Sequence, residues 1–296
     1  MLKLATYTLG TVILGATVAW VLTEPRHADI GVLASFTPDL TRGEYVYTAG
    51  GCASCHAGDD GKAEALTGGM AFVSAFGTFY APNISSDPDH GIGTWSALNL
   101  ADAVLHGTSP QGEHYYPAFP YTSYAKMDPS DVVSLHAYMM TLPASTTPSK
   151  AHDVGFPFNI RRTLGGWKLL FGSSANDWVV TDPNMTPEDL QGRYLVEALA
   201  HCGACHTPRN ALGGMDKSKW LGGAPNPSGQ GTIPNITPGT LTWSTEDIAY
   251  YLESGFTPEF DSVGGHMAHV VDNFAKLDAT DRMNVANYLK RVSPVE

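Results

Sequence analysis

The sequence predicts an all-α protein: two tandem helical domains behind an N-terminal transmembrane helix. Three observations predict it. The pentapeptide Cys-x-x-Cys-His occurs twice, at Cys52–His56 and at Cys202–His206. The residues around the two copies echo each other over about 100 positions. A run of 19 residues without charge, Leu4 to Leu22, opens the chain.

The opening run comes first. Lys3 precedes it and Glu24-Pro25-Arg26 closes it. In a helix, 19 residues rise about 28 Å, close to the hydrocarbon thickness of a bilayer. Trp20 sits near the far boundary, where indole rings anchor at the interface. A cleaved signal peptide is the rival reading, but the run is longer than a usual signal core and no small-x-small site follows it. Residues 1–26 are therefore expected to be a retained membrane anchor.

The first domain is expected over residues 30–145. Gly43-Glu44-Tyr45 leads into the first pentapeptide, and a Gly/Pro-rich wrap follows it. Ser96 reads as the N-cap of a middle helix. Asp128-Pro129 reads as cap and first-turn proline of a last helix, about 129–142, with Val132, Leu135 and Tyr138 at core intervals.

Residues 146–186 form a connector. Phe156-Pro157-Phe158 and the stretch Arg161–Phe171 are too apolar and aromatic for a flexible linker. Inter-domain packing, a membrane surface and a docked partner all remain open for it.

The second domain, 187–296, repeats the first. Gly192-Arg193-Tyr194 echoes Gly43-Glu44-Tyr45. Pro234-Asn235-Ile236-Thr237 echoes Pro82-Asn83-Ile84-Ser85. Trp243-Ser244 echoes Trp95-Ser96, and Gly255 falls where Gly107 does. Ala275-Lys276-Leu277-Asp278 echoes Ala125-Lys126-Met127-Asp128. Ser244 caps the second middle helix, and a last helix is expected over about 279–291. The Asn-x-Ser/Thr triplets in this repeat match a glycosylation sequon by coincidence.

The pentapeptides carry the chemistry. Cys-x-x-Cys-His is the attachment signature of a c-type haem: two thiols add to the vinyl groups, and the next histidine reaches the iron. The four cysteines of the chain all lie in the two motifs. Cys52, Cys55, Cys202 and Cys205 are thus the expected attachment residues, His56 and His206 the iron ligands, and two covalent haem c groups the cofactors. A zinc site of four thiolates is the rival; it leaves both histidines unexplained, and the pairs are spaced too widely.

Charge is uneven. The formal net charge is -12, which argues against a nucleic-acid partner. Residues 30–145 hold 3 Lys and Arg against 11 Asp and Glu, and residues 183–296 hold 8 against 13. An acidic surface steers basic partners or keeps the chain soluble.

The distal iron ligands are less legible. A methionine makes a high-potential carrier, whereas an open position admits small molecules. Met267, in Gly264-Gly265-His266-Met267, is the candidate for the second half; His266 and His269 beside it read as solvated or as propionate contacts. The first half has no methionine in the matching loop, Pro117–Tyr124. Met127 is the first candidate there, although the repeat aligns it with Leu277; His114 is the second, and an open site the third. Met139 and Met140 fall inside the last helix and read as packing residues.

Five segments, GTFYAPNISSDPDHGIGTWS, HYYPAFPYTSYAKM, HCGACHTPRNALGG, PNITP and GGHMAHVV, make the chain resemble the membrane-associated multihaem cytochrome c subunits of periplasmic alcohol, aldehyde and gluconate dehydrogenases. They cover most of both domains. The resemblance implies a tandem of class I cytochrome c domains, with the family's haem residues at Cys52, Cys55, His56, Cys202, Cys205 and His206 and its distal methionine at Met267. It implies electron transfer, not catalysis, from a dehydrogenase to a quinone, soluble cytochrome or oxidase. It departs in two ways: the alcohol dehydrogenase type carries three haems, and many members have methionine where this chain has Phe119. The implied location is the bacterial inner membrane, with everything after Arg26 in the periplasm, where c-type haem is attached. A dihaem peroxidase or a thiosulfate-oxidising cytochrome, using an open or unusually ligated first iron, is the alternative.

Overall fold

The computed structural model describes residues 14–15, 17–58, 65–226 and 231–296. Much of the expected membrane anchor, residues 4–13 and 16, lies outside them. Residues 17–22 are helical and exposed. Among the described residues no helix is long and apolar enough to cross a membrane.

The first half follows the expected order. After a single turn α1 (Ile30–Leu33) comes α2 (Leu40–Ala49), capped by the Asp39 carboxylate, which accepts from the amides of Thr41 and Arg42. The motif itself is one helical turn, α3 (Cys52–His56). The wrap after it holds a short antiparallel hairpin, β1 (Ala71–Ser74) and β2 (Gly77–Tyr80). The middle helix α4 (Ala97–His106) starts at a capping box between Ser96 and Asn99 and stops at Gly107, whose φ of 60° only glycine adopts freely. A turn α5 (Tyr121–Tyr124) and the last helix α6 (Pro129–Met139) complete the half. Asp128 precedes Pro129 as expected, but its side chain makes no capping bond.

The connector is structured. Its helix α7 (Leu164–Phe171) packs Trp167 and Phe171 on the chain around Leu212–Gly214. The second half then repeats the first: α8 (Pro187–Arg193), continuing as a π-helical turn Tyr194–Leu199; the motif turn α9 (Gly203–His206); a minimal ribbon, β3 (Ala224–Pro225) and β4 (Thr232–Ile233); α10 (Thr245–Ser254), with a Ser244–Asp247 capping box; α11 (His266–Phe274); and α12 (Ala279–Arg291).

Two glycines set the frame. A Cβ added at Gly43 would lie 2.2 Å from Ser134 O, and one at Gly192 would lie 2.0 Å from Asn284 O. Only glycine lets α2 cross α6, and α8 cross α12, backbone against backbone. Two residues on, the repeated tyrosines reach across the molecule. Tyr194 donates to Asp131 of the first half (2.6 Å), and Tyr45 OH accepts from Gln191 Nε2 of the second (3.0 Å). Arg42 adds a bidentate pair to Asp131, both contacts at 2.7 Å. The buried apolar residues accordingly join into one cluster running from Leu33 through Val46, Val132 and Leu199 to Val285 and Val292.

Candidate haem-attachment sites

In each motif a single helical turn puts the two cysteines and the histidine on one short segment. All four thiols are free. Burial, then the neighbouring thiol, pushes Cys52 and Cys202 up to about 12; burial, then Cys205, pushes Cys55 up to about 11. Among the described residues no three His, Cys, Asp or Glu side chains are grouped to hold a metal ion. The four cysteines are thus not gathered into the single site that a four-thiolate zinc centre needs.

The histidines are prepared alike. His56 Nδ1 lies 2.8 Å from the carbonyl of Pro82, and His206 Nδ1 lies 2.8 Å from that of Pro234. A carbonyl only accepts, so Nδ1 carries the proton and Nε2 keeps its lone pair. Burial lowers the pKa of both rings, outweighing the carbonyl that raises it, so both are neutral. This is the state in which imidazole binds iron. The donor set and its tautomer fit a covalently held haem.

The carbonyls are held by residues that sequence reasoning set aside. Asn83 is buried and donates from Nδ2 to the carbonyls of Ser145 and Thr147, both at 2.8 Å, while its Oδ1 accepts from Ser85 N. Asn235 donates to Val295 O at 2.7 Å and accepts from Thr237 N. Each asparagine staples the wrap to the chain beyond the last helix and so aims the preceding proline carbonyl. The repeat of Pro-Asn-Ile, 26 residues after one motif histidine and 28 after the other, was the signal.

The two motifs face each other. Tyr124 OH donates to Gly50 O at 3.2 Å, its ring meets His201 edge-on at 5.4 Å, and Asn273 Nδ2 donates to Ser54 Oγ at 2.9 Å. Met267 is half-buried in the first turn of α11 against the shared core; His266 and His269 are exposed. Met127 is buried, and its amide donates to Tyr124 O as that of Leu277 does to Phe274 O. The two residues fill one packing position. Phe119 sits in an aromatic group with Tyr115, Tyr121 and Tyr124. His114 Nε2 lies 3.0 Å from Thr23 O and 3.3 Å from Arg162. A cavity of about 340 Å³ between connector and both halves, lined in part by Lys126, Asp177 and Trp220, includes none of the six motif residues.

The profile of the Cytochrome c family matches residues 40–143. A diheme cytochrome c-type protein of Cereibacter sphaeroides is 55% identical over 96% of both chains. The fructose dehydrogenase cytochrome subunit of Gluconobacter japonicus is 36% identical over 91% of this chain, and the gluconate 2-dehydrogenase cytochrome c subunit of Pantoea cypripedii 34% over 85%. The chain spans only 55% and 59% of the length of those two subunits.

Proposed function

Because the chain belongs to the cytochrome c family and is an electron-transfer protein rather than an enzyme, we propose that it is a dihaem c-type cytochrome. Its two tandem domains pass electrons from a dehydrogenase to a respiratory acceptor: a quinone, a soluble cytochrome or an oxidase. The observation that carries this reading is the doubled site, in which each motif histidine gives its Nδ1 proton to a proline carbonyl of the repeated wrap.

Haem c at the two motifs would supply reversible one-electron iron chemistry. Cys52 with Cys55, and Cys202 with Cys205, hold the groups. His56 and His206 would ligate through Nε2, with Pro82 and Pro234 fixing the ring tautomer. Met267 would complete the ligand set of the second site. Met127 is our candidate for the first, as the thioether nearest the distal loop; its packing kinship with Leu277 makes it the residue to test. The contacts Tyr124–His201 and Asn273–Ser54 cross between the halves beside the motifs, so electrons can pass between them within one chain.

Leu4–Leu22 acts as a membrane anchor, with the haem-bearing part on the periplasmic face of a bacterial inner membrane. The uncharged run supports this, as does Arg162, which donates to the carbonyls of Trp20 and Thr23 and ties the end of the run to the connector. A dehydrogenase partner is supported by the relatives that are cytochrome subunits of such enzymes.

The test is haem stoichiometry. Cys52→Ser/Cys55→Ser and Cys202→Ser/Cys205→Ser should each lose one haem by mass and by absorbance; unchanged values refute the reading. Near-infrared magnetic dichroism of Met267→Leu and Met127→Leu should show loss of a methionine–iron band in each. A variant that keeps the parent spectrum removes that residue from the ligand set.

A further inference from the structure

The loop after the middle helix is built identically in the two halves. In the first, Tyr115 N donates to Gly107 O (2.7 Å), Ser109 N to Glu113 O (2.8 Å), Gly112 N to Ser109 O (2.9 Å) and Glu113 N to Ser109 Oγ (3.1 Å). In the second, Val263 N donates to Gly255 O (2.7 Å), Thr257 N to Asp261 O (2.9 Å), Phe260 N to Thr257 O (2.9 Å) and Asp261 N to Thr257 Oγ1 (3.1 Å). This register pairs Thr108 with Phe256, Gly112 with Phe260, and Glu113 with Asp261.

The first loop is covered. Thr108 and His114 are buried. Arg161 lies 3.7 Å from Glu113 and donates to His114 O at 3.2 Å, and Lys168 Nζ donates to the carbonyls of His106 and Gly107, both at 2.7 Å. The cover is the connector, whose residues 154–171 hold three cations, no carboxylate and five aromatic or leucine side chains from Leu164 onward.

The second loop has no such cover among the described residues. Phe256 is 46% exposed and Phe260 84% exposed. Gly112 turns with φ 75°, and Phe260 makes the same turn with φ 67°, a strained conformation for an aromatic residue. From Glu253 to Asp272 the chain carries four carboxylates and no Lys or Arg. Glu253 is paired with Arg282 at 3.3 Å; Glu259 and Asp261 form no ion pair among the described residues. The loop leans on the helix that bears Met267: a Cβ at Gly255 would lie 2.7 Å from Val263 Cγ1 and 3.5 Å from Val271 Cγ1.

We propose that Phe256–Ser262 is a docking site for a partner protein that presents a basic, aromatic segment, laid on the second half as the connector is laid on the first. Strain is retained at Phe260 because the ring is what the partner buries, and the uncompensated carboxylates of Glu259 and Asp261 receive its cations. The inference rests on the reading that the second haem exchanges electrons with a protein.

The test uses the haem-loaded full chain and a lysine-rich soluble cytochrome c as probe, with complex formation followed by amide chemical shifts and electron exchange by stopped flow. Phe260→Gly installs the residue the first loop uses, so the fold is kept, and should weaken the complex about tenfold, as loss of a central aromatic anchor does. Glu259→Gln/Asp261→Asn should slow association about tenfold at low salt and flatten its salt dependence. Glu44→Gln/Asp89→Asn, the same charge change on the first half, should do neither. Shifts that map to Phe256–Ser262 support the proposal. It is overturned if Phe260→Gly binds as the parent does, if the two charge pairs act alike, or if the loop is found buried against a second copy of the chain. Failure of haem loading would strike the functional reading instead, and is scored separately by absorbance.

Discussion

Gly192→Ala tests the backbone contact on which the second half is framed. The added methyl would sit 2.0 Å from Asn284 O, 2.6 Å from its carbonyl carbon and 2.9 Å from Tyr288 Cβ. Ordinary contact starts at 3.4 Å, so α8 and α12 must part by about 1.4 Å or tilt. Overpacking of this kind costs about 1–3 kcal/mol. Alanine returns about 1 kcal/mol through its better helix propensity. The net loss is about 2 kcal/mol at the generous end of the cost, or roughly 4–8 °C in melting temperature for a chain of this size. Separation also pulls Gln191 from Tyr45 and Asp281, which it reaches at 3.0 and 3.3 Å. The assay is thermal and urea unfolding followed by helical dichroism at equal haem loading. Gly166→Ala in α7 is the control, since nothing lies within 4 Å of its added Cβ; it should melt with or above the parent. If Gly192→Ala does the same, the crossing is not steric and the frame described above is wrong.

Glu197 is fully buried and accepts from the amides of Val179 (2.7 Å) and Val180 (3.1 Å) and from Tyr288 OH (2.7 Å), which itself accepts from Trp220 Nε1 at 3.1 Å. Glu197→Ala strands three donors and should cost about 3 kcal/mol in urea unfolding; a loss as small as that of a surface substitution would refute the network. His201 is held down at about 4 by burial, against an ordinary 6.5, although its bond to Gly50 raises it. Acidification through that interval protonates the unfolded chain before the folded one, so stability should fall by about 3 kcal/mol from pH 7 to pH 4. His201→Asn, which tolerates the left-handed backbone (φ 42°), should flatten that slope; an unchanged slope would assign it to other groups. Ser244→Ala removes the capping box of α10 and should lower stability by about 1 kcal/mol.

The helices were legible because their signals are local. Ser96 and Ser244, each after a tryptophan, cap helices that begin at the next residue, and Asp278 precedes a helix that spans Ala279–Arg291 as expected. The first last helix stops at Met139, three residues short, where the chain turns toward Pro143. The two hairpins in the wraps were not legible. β1 and β2 are four residues each, and Thr78 of β2 is bridged to Asp153 of the connector, so their pairing depends on chain about 75 residues away. The asparagines at 83 and 235 read as sequons because a triplet says nothing of what its amide meets.

Sequence alone showed the two Cys-x-x-Cys-His motifs, the duplication and the helix starts, since each depends on residues a few positions apart. Only tertiary structure showed that His114 is hydrogen-bonded to the backbone at Thr23, and that the repeated tyrosines cross between halves. It also decided that one loop of a matched pair lies under the connector while the other stands open. Those outcomes rest on contacts between segments far apart in the chain, and a repeat that makes two stretches alike in sequence cannot say which of them its surroundings will cover.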